Sequence, residues 1–171
     1  AIQISAEAHE LVRESIKSKN NERQIQGILE GFFLEKGARG PAYNSIVASG
    51  DNACILHYTS NNSPLNKGEL LLVDAGCSLT DYYNGDITRT IPIGGKFSDE
   101  QKVIYEIVLS AQKTAIQSAI IGSNSSTVHN VALTILVEGL KEIGLLSGST
   151  EEIIENPVSY THLRAHETRY D

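Results

Sequence analysis

Two aspartates carry the clearest chemical signal in the 171-residue chain. Asp74 closes the apolar run Leu70–Val73, and Asp86 follows with 11 residues between them. A hairpin turning at Thr80 would set the two opposite one another, on one face, with Cβ atoms roughly 5 Å apart. Two carboxylates held so close on a buried face repel, so one keeps its proton or a cation sits between them. A pair of divalent ions is the economical solution, since bridging carboxylates hold two ions roughly 3.5–4 Å apart. Hard oxygen donors favour manganese or a similar ion over metals that prefer soft ligands. A plainer reading makes one Asp a turn residue and the other a strand-end cap. The spacing alone leaves both readings open.

His57 is the second candidate. It lies in Cys54–Tyr58, a β-branched and aromatic run read as a strand. A neutral imidazole there could hydrogen-bond a reacting carbonyl or shuttle a proton. It could equally be a satisfied core histidine.

The elements that must position these residues follow from periodicity and caps. Ser5 is placed to cap a helix over 6–17. Asn21 is placed to cap a second helix, with Gln24 completing a capping box. Ile25, Ile28, Leu29 and Phe32 give that helix one apolar face, and Gly37 is a natural stop. Strand signals cover 45–49, 54–58, 70–75 and 82–93, separated by turn clusters at 50–52 and 61–68. Ser98 and Gln101 form another capping box at the head of a long helix. Its apolar face is Val103, Ile104, Ile107, Val108, Ala111 and Ala115, and its stop is Gly122. A further helix spans 126–143 and stops at Gly144; a short one starts at Thr150. Helices, then antiparallel strands, then helices make the fold class α+β rather than alternating βαβ. His9 and His129 read as exposed helix residues.

Bulk properties exclude several classes. A net charge of −7 with no Lys/Arg cluster disfavours nucleic acid as a partner. No apolar run approaches the ~20 residues of a membrane span, and no signal peptide is visible. The two cysteines, Cys54 and Cys77, form neither a CxxC nor a disulfide framework and read as two small buried hydrophobes in a reducing, cytoplasmic protein. The chain begins at Ala1 rather than Met, so an upstream part is expected. After about Pro157 the periodicity is lost. Residues 157–171 resemble a translated sequencing-adapter remnant and are read as a non-native or disordered tail that packs poorly. His162, His166 and Glu167 within it are not metal ligands on this reading, because the HExxH form is absent and Leu163 stands where its Glu would be.

The segment VDAGCSLTDYYNGDITRTIPIGGKFS, residues 73–98, resembles the first metal-binding hairpin of the pita-bread metallopeptidases: the Xaa-Pro aminopeptidases, the prolidases and, more distantly, the methionine aminopeptidases. YNSIVASGDNACILHYTSNN, residues 43–62, is similar to the family segment just before it. The resemblance runs from about Ile4 to Asn156, and residues 1–156 are read as the N-terminal part of a pita-bread catalytic domain whose C-terminal half is missing.

Several roles follow from the resemblance. It implies that Asp74 binds one metal, that Asp86 bridges two, and that the ions are manganese-type. It implies that His57 lines the substrate pocket and assists the reaction. Tyr43 would contact the metal carboxylates, and Thr88, two residues past Asp86, would support them. A later His and two Glu would complete the ligand set downstream. The spacing of Asp74 and Asp86 is one residue longer than the family pattern, and the extra residue is assigned to the turn at 78–81.

The implied activity is hydrolysis of the Xaa-Pro bond at the N-termini of proline-containing peptides by a metal-bridged hydroxide, in a parent protein that is a homo-oligomer. This chain alone is expected to be inactive. Three rivals stand beside that reading: a prolidase cutting only Xaa-Pro dipeptides, a non-catalytic pita-bread module that binds peptides or proteins, and a small acidic interaction domain with two incidental Asp residues. Retention of Asp74, Asp86 and His57 speaks against the second. Convergence of both carboxylates on one face would speak against the third.

Overall fold

A computed structural model describes residues 1–155, which fall into two compact units, Ala1–Phe97 and the part from Ser98 onward. The first holds α1 (Ile2–Ser15), α2 (Glu22–Glu35), β1 (Gly40–Pro41), β2 (Ile46–Ser49), β3 (Leu70–Asp74), β4 (Cys77–Ser78) and β5 (Thr88–Pro92). Short 3₁₀ turns follow α1 and β2, at Ile16–Ser18 and Gly50–Cys54. The second holds α3 (Asp99–Ser118), α4 (Ser125–Glu142) and α5 (Thr150–Glu155). The tail after Asn156, with His162, His166 and Glu167, lies outside the described residues. No helix among those described is long and apolar enough to cross a membrane.

In the first unit, β2, β3 and β5 form an antiparallel sheet with β3 in the centre, and β1 pairs with β4 beside it. Strand alternation sorts β3 cleanly. Leu71 and Val73 are fully buried and join Val47 and Ile91 in the core, whereas Leu72 and Asp74 are half-buried on the other face. The helices supply the rest of the core through Ala8, Val12 and Ile16 and, from α2, Ile25, Leu29 and Phe33. Phe33 is the α2 aromatic that is fully buried, and Phe32 only packs against the rim. An i, i+4, i+8 stripe thus faces the sheet more directly than the pattern read from sequence.

Several local expectations change in three dimensions. Ser5 is no cap. Helix α1 begins at Ile2, and the buried Ser5 hydroxyl accepts from the Cys77 N–H (3.0 Å) and donates to Ala1 O (2.9 Å), pinning α1 to β4. Asn21 does cap α2, accepting from the Arg23 N–H at 2.8 Å, but Gln24 accepts from Asn20 N–H rather than closing a box. Cys54–Tyr58 is not a strand: the chain makes a 3₁₀ turn and then a bend, with both Cys54 and His57 exposed. The thiols of Cys54 and Cys77 are free, and only that of Cys77 is buried. The strand read over 82–93 shrinks to β5, because residues 79–83 form the hairpin turn, with Tyr82 in the left-handed region at φ +66°.

In the second unit the capping box is present, with Ser98 accepting from Gln101 N–H (3.2 Å) and Gln101 accepting from Ser98 N–H (2.9 Å). Helix α3 ends at Ser118, before Gly122. Helix α4 covers α3 around Ile107, where Gly139 leaves no room for a side chain. Ala111 is buried, but Val103, Ile104 and Val108 remain exposed, so the expected apolar face is only partly covered. His129 is exposed on α4, as expected.

Glu22, at the first position of α2, is fully buried. Burial raises its carboxyl pKa, but the backbone amides of Ser49 and Ser63 and the side chains of Asn52 and Ser49 outweigh that and hold it below the ordinary value of 4.5. A carboxylate with a depressed folded-state pKa adds stability above its unfolded pKa and loses it as pH falls through the folded value. The stability gap between the wild type and Glu22→Gln, which cannot titrate there, is therefore expected to be flat at neutral pH and to shrink below about pH 4.5. Urea unfolding of both proteins across that range checks this; a gap that widens on acidification would contradict it.

Candidate active site

Hydrogen bonds place the hairpin turn. Ala75 N–H donates to Ile87 O (3.1 Å), Gly85 N–H to Cys77 O (2.8 Å) and Leu79 N–H to Tyr83 O (2.9 Å). Their common centre is Asp81, not Thr80. Asp74 therefore faces Thr88 across β5 and Ile46 across β2, and Asp86 is not its direct partner. Moving the centre by one residue moves the pairing by two, which preserves the face. Asp86 becomes the diagonal neighbour of Asp74, still within reach of it.

A third residue shows that the carboxylates converge. Tyr43 lies in the bend between β1 and β2, and its hydroxyl donates to Asp74 Oδ1 at 2.7 Å and to Asp86 Oδ1 at 2.9 Å. Burial, and then the two carboxylates beside it, push the Tyr43 phenol well above its ordinary pKa, so it keeps its proton and acts as donor. One phenolic proton shared between two carboxylates leaves most of their lone pairs free. Asp74 is half-buried and Asp86 exposed, so the pair opens to solvent rather than lying on the buried face expected. Among the described residues neither carboxylate has an ion-pair partner. Two oxygen-donor groups, convergent and uncompensated by any cationic side chain, suit a hard divalent cation.

Backbone packing makes this convergence possible. Gly76 stands opposite Asp86. A Cβ on Gly76 would overlap the Gly85 carbonyl and stand 2.7 Å from Asp86 N. Ala42 N–H donates to Gly76 O (2.8 Å), tying the Tyr43 bend to the same spot.

Beneath the hairpin lies His9, which is buried rather than exposed. Its Nε2–H donates to Ala75 O at 3.0 Å, and burial depresses its pKa, so the ring is neutral. Helical periodicity offered no warning of this, since its partner is a carbonyl far away in sequence. Thr88 stands opposite Asp74, as its register requires. His57 rides on the exposed bend after the 3₁₀ turn, at φ +54°. It does not join the aspartates as a metal-binding cluster: no group of three or more His, Cys, Asp and Glu converges among the described residues.

Comparison with known proteins decides the family. Residues 1–167 match the model of metallopeptidase family M24. The chain belongs to that family. It is 44% identical over 153 residues to the Xaa-Pro aminopeptidase of Haemophilus influenzae, covering 90% of this chain and 35% of that protein. It is 41% identical over 152 residues to the Xaa-Pro aminopeptidase of Escherichia coli, covering 89% and 34%.

Among solved M24 structures, it superposes on a Glu-to-Ala variant of E. coli aminopeptidase P in complex with substrate with a TM-score of 0.87. That match has 40% identity and covers 91% of this chain and 35% of the other. Aminopeptidase PepP of Pseudomonas aeruginosa gives 0.87 and 41%, covering 94% and 36%. The α+β chain thus has part of the aminopeptidase P fold and spans about a third of the length of these M24 relatives.

Proposed function

We propose that this chain carries the first metal-binding hairpin of a dinuclear, manganese-type Xaa-Pro aminopeptidase acting in the cytoplasm on proline-containing peptides. The observation that carries the reading is the convergence of Asp74 and Asp86 on the Tyr43 hydroxyl, in an M24 chain 40% identical to aminopeptidase P. Asp74 would hold one ion and Asp86 would be shared between two. When bound, such ions polarise the scissile carbonyl and acidify the attacking water.

The chain's own residues do the rest. Tyr43 donates to both carboxylates and fixes their rotamers, the supporting role that outer partners play around metal ligands. Thr88, opposite Asp74, lines the same face. His57 donates to the substrate carbonyl or moves a proton. The remaining ligands come from sequence beyond the described residues, since two carboxylates alone leave ions hydrated and mobile and forfeit the contribution of fixed geometry.

The test uses two proteins and two substrates. The 171-residue chain with added manganese is expected to release no N-terminal residue from Xaa-Pro-Yaa tripeptides. The protein in which the natural sequence continues past Asn156 is expected to do so, and to stop on chelation. Cleavage confined to Xaa-Pro dipeptides would make it a prolidase instead. Robust chelator-sensitive turnover by the 171-residue chain would show that the site is complete without further ligands, and would overturn this part of the proposal.

A further inference from the structure

A buried carboxylate with no cation beside it needs a reason, because packing alone would be better served by an apolar side chain. Among the described residues Glu22 is such a group, fully buried and in no ion pair. Five donors converge on it: Ser49 N–H (2.7 Å), Ser49 Oγ–H (2.8 Å) and Asn52 Nδ2–H (3.1 Å) on Oε1, Tyr58 O–H (2.8 Å) and Ser63 N–H (2.9 Å) on Oε2. A carboxylate is the side chain that accepts at every position and offers no proton of its own.

The partners are not scattered. Ser49 ends β2, Asn52 lies in the 3₁₀ turn, Tyr58 directly follows His57, and Ser63 lies further on toward β3. The chain from Ile55 to Glu69 has no helix or strand of its own, a length that rarely holds its shape unless it is tied down. Glu22 holds the chain on both sides of His57, through Ser49 and Asn52 before that stretch and through Tyr58 and Ser63 within it. The residue between those ties is itself strained, since His57 sits in the left-handed region, which persists only where the surroundings enforce it.

Asn61 adds a second tie. It is buried, and it accepts from Val47 N–H at 2.9 Å and donates to Ser45 O at 2.8 Å, standing in for a neighbouring strand along β2.

We propose that Glu22 is a positioning residue: its carboxylate clasps the 49–63 segment from the head of α2 and so holds His57 in place for the reaction. The inference rests on the reading of His57 as a residue that acts on substrate. Glu22 works only through the loop; it touches no substrate.

The test has two parts. In the 171-residue chain, hydrogen exchange is measured by mass spectrometry for the wild type, Glu22→Gln and Tyr58→Phe. The amide of Gln brings a donor to a site built of donors, so Glu22→Gln is expected to speed exchange across 50–63 by about tenfold or more beyond any rise that global destabilisation brings to β3 and β5. Tyr58→Phe, which removes one of the five donors to Glu22 together with the contacts of the same hydroxyl to Asn52 and Ser63, but no core volume, is expected to move the same segment by less. It carries the test if Glu22→Gln does not fold. Unchanged exchange in 50–63, or an equal rise in β3 and β5, would overturn the clasp.

In the full-length enzyme, kcat and KM are measured for Glu22→Gln, His57→Ala and the double variant. Glu22→Gln is expected to lower kcat about tenfold when His57 is present and to have little further effect when it is absent, the non-additivity of residues acting as a unit. Equal losses in both backgrounds would overturn the positioning role. If His57→Ala alone leaves turnover intact, the assignment of His57 fails and this proposal fails with it. That outcome is separate from the exchange result, which judges the clasp by itself.

Discussion

Asp86→Asn, made in the full-length enzyme, is expected to lower turnover of an Xaa-Pro tripeptide by about a thousandfold or more while leaving the protein folded. The substitution keeps the shape of the side chain and removes its charge. On the proposed reading Asp86 would be shared by two ions, so its loss would weaken both positions at once. The Tyr43 hydroxyl still has Asp74 at 2.7 Å, so the bend between β1 and β2 keeps its anchor. Asp86 is exposed, and stability is expected to stay within about 0.5 kcal/mol of wild type. Bound manganese, followed by the paramagnetic resonance of the free ion, separates loss of metal from loss of chemistry. Turnover within tenfold of wild type, with metal content unchanged, would remove Asp86 from the site.

The second large effect is on folding. Gly76→Ala is expected to destabilise the first unit by about 3 kcal/mol or more, because the added methyl meets backbone rather than a side chain that can rotate away. Its neighbours are the Gly85 carbonyl and Asp86 N, the latter 2.7 Å from where the methyl carbon would sit. The two strands cannot separate cheaply, since Ala75 N–H and Gly85 N–H bond across them at 3.1 and 2.8 Å on either side. Any separation also carries Asp86 away from Tyr43, so the variant should bind metal poorly even where it remains folded. Gly31→Ala is the control. That glycine lies within α2 with nothing within 4 Å of a new Cβ, and the substitution should stabilise by about 0.4–1 kcal/mol. Urea unfolding of the three proteins reads both effects, and equal midpoints for wild type and Gly76→Ala would refute the steric argument.

The features legible in the sequence are those whose cause lies within a few residues. The Ser98–Gln101 box closes over a single turn of chain, and both of its hydrogen bonds form. The α2 stripe repeats within one helix, and Gly37 ends that helix because its φ of +82° suits glycine. The pairing of Asp74 with Asp86 on one face also survives, because face depends only on parity along a hairpin, and an error of one residue in the turn leaves parity intact.

Tertiary structure decided whatever depends on a distant partner. The turn centre moved to Asp81 because the backbone at Gly76 and Gly85 approaches so closely, and because Tyr82 adopts a left-handed conformation that residue type does not announce. His9 can be buried because the Ala75 carbonyl, 66 residues away, accepts a hydrogen bond from its ring. Cys54–Tyr58 has the composition of a strand, yet its chain is held by a carboxylate from α2 instead of by a neighbouring strand. In each case the local preference was real but worth little against a buried hydrogen bond. Which group supplies that bond is a property of the assembled chain, not of any segment within it.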